Sequence, residues 1–289
     1  MRYASPVYHT LLNRYRAAKR ARERQQYLAG GRVPWALGYW DYRNAYIADA
    51  LNDSALFERF TSASPLPAGY GARLDERTVE YPWVLARLGA GKGHLLDGGS
   101  ALNIEFLLDH PRLKDKTIVI YNLAPEETFG LPNVSYLYGD LRETILKDAL
   151  FDAIACISTL EHIGMDNTLL YTADANFGQA NTRDYRLVLN EFRRLLKPGG
   201  KLLLTVPYGR YENHGWLQQF DAALVDDVSA TFGGSASTAA YYRYTPNGCT
   251  LSDAAACAEC SYYNIHAVKQ PAPDGAAAAR AVACIEMIK

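Results

Sequence analysis

The sequence predicts an α/β fold: a mostly parallel sheet of seven strands, one of them antiparallel, behind an N-terminal helical extension. Three observations carry this expectation. From residue 94 short apolar runs alternate with segments of helical spacing, the pattern of parallel strands joined by crossover helices. Before residue 90 that alternation is missing, and apolar residues recur at helical intervals instead. Near the C-terminus two apolar runs flank Pro271-Ala272-Pro273-Asp274-Gly275, a hairpin-like return that sets one strand antiparallel. The chain thus divides into a helical extension or lid over 1–89 and a sheet domain over 90–289.

In order, Val7, Tyr8, Leu11, Leu12, Tyr15 and Ala18 mark a first helix. Its other face carries Arg14, Arg16, Lys19, Arg20, Arg22 and Arg24, a solvated face or a patch for an acidic partner. Gly30-Gly31-Arg32-Val33-Pro34 ends it, a second helical pattern runs over 42–60, and Pro65, Pro67, Gly69 and Gly71 form a loop. Strands are expected at 94–97, 117–121, 134–138, 151–157, 201–206, 262–268 and 280–288, with helices at 102–109 and 184–196.

Composition narrows the function. The 289 residues are 49% hydrophobic and 21% charged, with a formal net charge of -1. That balance is ordinary for a globular protein and lacks the basic excess of a nucleic-acid binder. No apolar stretch approaches the roughly 20 residues of a spanning helix, and no apolar run near the start suits a secretory signal. Five cysteines are too few and too uneven for a disulfide framework, so a reducing, cytoplasmic setting is expected.

The first strand runs into Asp97-Gly98-Gly99-Ser100-Ala101-Leu102-Asn103. Small residues after a buried strand put backbone at the carboxyl edge of the sheet, where open α/β sheets bind ligands. Gly98, Gly99 and Ser100 permit close approach, and Asp97 offers an acceptor for an ammonium or hydroxyl group. The dinucleotide pattern G-x-G-x-x-G fails from either glycine, because Ser100 and Asn103, or Ala101 and Ile104, stand where glycines are needed. A nicotinamide-dependent oxidoreductase is therefore a rival rather than the leading reading.

Four segments together resemble class I S-adenosylmethionine-dependent methyltransferases in order and spacing. They are Leu95-Leu96-Asp97-Gly98-Gly99-Ser100, Tyr138-Gly139-Asp140-Leu141, the stretch from Phe151-Asp152-Ala153-Ile154 to Ser158-Thr159-Leu160-Glu161-His162, and Leu195-Leu196-Lys197-Pro198-Gly199-Gly200 with the strand after it. Outside this core, Gly69-Tyr70-Gly71, Glu80-Tyr81-Pro82-Trp83, Asn122-Leu123-Ala124-Pro125-Glu126 and Glu212-Asn213-His214-Gly215-Trp216 look like a subfamily associated with saccharide or natural-product pathways. The resemblance implies a Rossmann-like sheet and S-adenosyl-L-methionine as cofactor. It implies Asp97 near the cofactor's amino group and Gly98, Gly99 and Ser100 against its methionine and ribose portion. The family's ribose-binding acid would fall at Asn122, which departs from the pattern, so Glu126 or Glu127 is the alternative. Asp140, after Gly139, would accept from the adenine amino group while Leu141 packs on the ring; otherwise Asp140 caps a helix over 141–147. Ser158, Thr159 and Leu160 would line the cofactor from the fourth strand's end.

A hydroxyl acceptor needs a base, and histidine suits neutral pH. His162 and His214 both follow strand ends on the ligand side, and Tyr208 is a further candidate. His9, His94, His110 and His266 are read as structural. Gln218, Gln219 and Asp221 would hydrogen-bond a polyol. Cys249, Cys257, Cys260 and His266 match no standard zinc spacing, so no metal is expected. The expected function is S-adenosylmethionine-dependent methyl transfer to a small molecule, at a hydroxyl of a sugar or natural product, without nucleic-acid or membrane partners and with a homodimer left open. A non-catalytic cofactor-binding scaffold is the rival from another class.

Overall fold

The computed structural model describes residues 6–289, with side chains from Ala18 onward. His9, and Arg14 and Arg16 of the basic face expected on the first helix, lie outside the described side chains. Helices α1 (Pro6–Ala29), α2 (Tyr39–Asn52), α3 (Ser54–Thr61) and α4 (Arg77–Arg87) precede the sheet. The single helix expected over 42–60 is two, because Asp53 turns the chain: its Oδ1 caps α3 by accepting from the amides of Ala55 and Leu56.

The α4 helix was hidden in the sequence by Pro82 at its centre. A proline there leaves the carbonyl four residues earlier without its helical donor. That carbonyl belongs to Thr78, and the buried Tyr70 hydroxyl donates to it at 2.5 Å. The helix continues because a side chain from the preceding loop replaces the missing amide.

The sheet is built from β1 (His94–Gly98), β2 (Thr117–Asn122), β3 (Val134–Tyr138), β4 (Phe151–Ile157) and β5 (Leu196–Pro207), with one-turn α5 (Glu105–Leu108) after β1 and α6 (Tyr185–Leu195) before β5. After a small hairpin of β6 (Glu212–Asn213) and β7 (Gln218–Gln219) come α7 (Ala222–Phe232), β8 (Ala236–Thr245), β9 (Gly248–Ser252), one-turn α8 (Ala254–Cys257) and β10 (Ala281–Ile288). The order across the sheet is β3-β2-β1-β4-β5-β10-β8-β9. The first five strands are parallel, and β10 is antiparallel to both of its neighbours.

The sheet has eight strands rather than the expected seven. Residues 262–268 are not a strand; only an isolated bridge, Tyr262 to Ala279, remains of the expected return. Their place is taken by the β8–β9 hairpin, closed at Pro246-Asn247 with Gly248 at φ 99°. The first four residues of β8 are small and exposed, so no apolar alternation announced it. Of the helix expected over 102–109 only α5 forms, and α7 was not anticipated.

Strand alternation sorts the core to two faces. Leu95, Ala155, Ile157 and Leu203 pack with α2 to α4, while Leu96, Ile154, Leu202 and Leu204 pack with α6 and α7. On α6, Tyr185, Val188, Leu189, Phe192 and Leu195 make the buried stripe. The N-terminal segment is tied to the far sheet edge as well, since the amide of Cys249 donates to the Tyr70 carbonyl at 2.6 Å. Among the described residues, no helix is long and apolar enough to cross a membrane.

Candidate functional site

Strand order reverses at β1, between β2 on one side and β4 on the other, and a crevice opens at the carboxyl ends of such a pair. A cavity of about 320 Å³ lies there, within the size range of small-molecule sites, about 300–1,000 Å³. It gathers Gly99, Ser100, Asn122, Glu126, Gly139, Asp140, Leu141, Ser158, Thr159 and His162 from the sequence-predicted set. Arg77, Arg142, Asn167, Tyr171 and Phe177 join them without having been predicted.

The turn after β1 explains its residues. Gly99 has φ 108°, and a Cβ there would stand 2.0 Å from Thr159 Oγ1. The β1 and β4 loops thus meet in contact only a glycine permits. Asp97 is fully buried behind this turn: Oδ2 accepts from the amide of Leu102 at 2.8 Å, and Oδ1 has no partner among the described residues. Burial pushes its carboxyl up to about 7 against those hydrogen bonds. Gly98 is equally tight, for a Cβ there would meet the Phe192 ring at 2.9 Å, but neither Asp97 nor Gly98 lines the cavity directly.

On β2, Asn122 turns its Oδ1 onto the amide of Leu123 at 2.9 Å. Glu126 accepts from the Ser100 hydroxyl through Oε1, and its other oxygen makes no hydrogen bond among the described residues. After β3, Asp140 does not cap a helix, since residues 141–147 form none. Its Oδ1 accepts from the amide of Arg142 at 2.8 Å, and the Arg142 guanidinium reaches both oxygens before bridging to Asp184.

The facing wall comes from α4 and the turn after β4. Ser158 has φ 39° and donates its hydroxyl to Glu80 Oε1 at 2.6 Å. Thr205 donates to the same oxygen at 2.7 Å, and Arg77 pairs with the other. Glu80 is fully buried, and sequence reasoning assigned it no role, because its partners are far along the chain. Leu160 is buried in the core behind this wall. His162 Nδ1 lies 2.9 Å from the Trp216 carbonyl, which can only accept, so that nitrogen carries the hydrogen. Nε2 is left as the acceptor and faces the Tyr171 hydroxyl at 3.3 Å. Burial holds His162 down to about 4, aided by Arg77, so the ring is neutral near pH 7.

The structure does not bring the other two candidates to the cavity. His214 packs on Tyr262, with Nε2 3.3 Å from Glu212, and is separated from His162 by the rings of Trp216 and Tyr262. Tyr208 is in the core against Tyr241, its hydroxyl on the Ala254 carbonyl. Gln219 is likewise buried, its amide on the carbonyls of Arg210 and Cys260. Among the described residues no group of three or more His, Cys, Asp or Glu is placed to hold a metal ion, and Cys249 lies against Gly71 and Thr78 rather than with Cys257 and Cys260.

Residues 120–204 match the family model of a methyltransferase domain. No curated protein matches the chain. Among solved structures, the 1,6-didemethyltoxoflavin-N1-methyltransferase of Burkholderia thailandensis is 14% identical, with 100% of this chain and 92% of that one covered and a TM-score of 0.43. A methyltransferase of Thermotoga maritima described as a possible histamine N-methyltransferase is 14% identical, with 85% and 99% covered and a TM-score of 0.43. Phosphoethanolamine N-methyltransferase 2 of Haemonchus contortus is 14% identical over 55% of this chain, which spans only 38% of that enzyme, with a TM-score of 0.40. These likenesses are too loose to carry an acceptor across. The residues that match a methyltransferase domain run from β2 to β5, and their strand ends form one side of the cavity beside β1.

Proposed function

We propose that the chain methylates a hydroxyl of a small molecule, of the saccharide or natural-product kind, with His162 as the base. S-adenosylmethionine supplies an electrophilic methyl group, which leaves the protein the tasks of alignment and of taking the acceptor's proton. Two acceptors support this cofactor: the free oxygen of Glu126 suits a ribose hydroxyl, and the orphan Oδ1 of Asp97, buried just behind the lining, suits an ammonium donor. Asp140 keeps lone pairs for the adenine amine beside its bonds to Arg142. Arg77 reaches the cavity from the helical extension, which supports reading residues 1–89 as cover. A cytoplasmic setting belongs to the same proposal.

One observation carries the choice of base: the Trp216 carbonyl fixes the His162 tautomer and leaves Nε2 as a lone pair at the cavity wall. Because this ring stays neutral down to about 4, its contribution to rate is flat above about pH 5. With an identified hydroxyl acceptor, His162→Ala lowers kcat by about 10²–10⁴-fold. It also weakens cofactor binding, since Ser158 and Thr159 adjoin it. A His162→Ala enzyme with full kcat rejects the assignment.

A further inference from the structure

The wall that holds His162 carries more buried carboxylate than its cations neutralise. Asp75 is closed by Arg43 at 2.9 Å, both side chains buried, and Glu80 by Arg77. Glu161 is left over. Glu161 is 2% exposed, and its Oε2 has no partner among the described residues. Its Oε1 stands 3.9 Å from His162 Nε2, the atom that faces Tyr171 across the cavity wall. Glu161 lies just behind the cavity lining, next to His162, and an unpaired buried carboxylate there is costly.

The surroundings say what kind of group would answer it. Tyr171 stands edge-on to the His162 ring at 5.1 Å, and the same imidazole stacks on Trp216 at 5.3 Å. Aromatic faces beside a carboxylate are the chemistry that recognises a cation. Arg77 does not fill the role, because Glu80 holds it.

We infer that the acceptor carries a protonated amine next to its reacting hydroxyl, received by Glu161 and the ring of Tyr171. This rests on the hydroxyl-acceptor reading and narrows it to amino alcohols and amino sugars. Burial pushes the Glu161 carboxyl well above the usual range, and an ammonium brought against it opposes that rise.

The test uses full-length protein saturated with S-adenosylhomocysteine and two matched pairs of probes, glucosamine against glucose and 2-phenylethylamine against 2-phenylethanol. Calorimetry reads affinity. The amine binds at least about tenfold tighter than its neutral partner in one pair or both. Glu161→Gln removes that preference, while S-adenosylhomocysteine affinity, measured alongside, reports an intact fold. Equal affinities within both pairs, no binding by any probe, or a preference that survives Glu161→Gln each overturns the inference. Should Glu161→Gln not fold, the wild-type preference decides alone. Failure to bind S-adenosylhomocysteine defeats the cofactor reading, and loss of the amine preference with that binding intact defeats only this inference.

Discussion

The cavity's two walls are held together over different distances in the chain. On the β1–β3 side, polar groups find partners close by: Asp97 at Leu102, five residues on, Asn122 at Leu123, and Asp140 at Arg142. The longest link there, Arg142 to Asp184, spans 42 residues. On the facing side Glu80 accepts from Ser158 and Thr205, 78 and 125 residues away, and His162 is held by a carbonyl 54 residues away. The first wall takes its shape from its own turns. The second exists only when the helical layer and the whole parallel sheet are assembled. Changes in the first should therefore act on ligand affinity, and changes in the second on stability first.

The largest effect expected is at Glu80. Glu80→Ala leaves Arg77 without its partner and two hydroxyls without an acceptor, and a broken buried pair costs about 3–5 kcal/mol. Urea unfolding reads this, and a loss below about 1 kcal/mol would break the contrast between the walls. Asp97→Asn comes next, weakening S-adenosylmethionine binding by about tenfold or more while the fold holds. The same variant sharpens the comparison through pH. The folded Asp97 carboxyl stands at about 7 against an ordinary 3.8, so its contribution to stability is full below 3.8 and is lost as pH rises through about 7. In thermal melts Asp97→Asn flattens the decline over that window; an unchanged slope would return Asp97 to an ordinary carboxylate.

A smaller effect separates the two ribose candidates. Glu126→Gln should reduce cofactor affinity more than Asn122→Ala, because the Asn122 oxygen is already turned onto Leu123. Titration calorimetry on both variants decides it, and the reverse order hands the ribose to Asn122. Smallest is His214→Ala, which should leave kcat within about twofold, since the ring lies behind Trp216 and Tyr262. A drop of 10²-fold or more there would move the base away from His162.

The same contrast explains what could be read from the sequence. Gly99, Ser100, Gly139 and Asp140 announce themselves because a strand, a turn and a small or acidic residue are neighbours in the chain. The strands from β1 to β5 are legible for a like reason, each being a short apolar run. Glu80 is invisible to such reading: nothing near it shows that Ser158 and Thr205 converge on its oxygen. His214 looked as good as His162 because both follow strand ends, and only packing shows which of them Trp216 screens from the cavity. The β8 strand escaped because its first four residues, Ala, Ser, Thr and Ala, are exposed and leave no apolar face to alternate. The α4 helix escaped because a proline in mid-helix argues against a helix unless a side chain as distant as Tyr70 is already known to repair it.

That repair and the carboxylate beside it are completed at different moments of protein synthesis. Tyr70 leaves the ribosome before Thr78, so the gap that Pro82 opens is closed as soon as α4 is made. Glu80 must wait for Thr205, 125 residues later, which at 5–20 residues per second is roughly 6–25 s. Through that interval Arg77, on the same helix, is the partner already made, and an ion pair still short of its hydroxyl donors favours water over burial against an apolar surface. Burial of this face of α4 therefore belongs to the steps after β5 has been made.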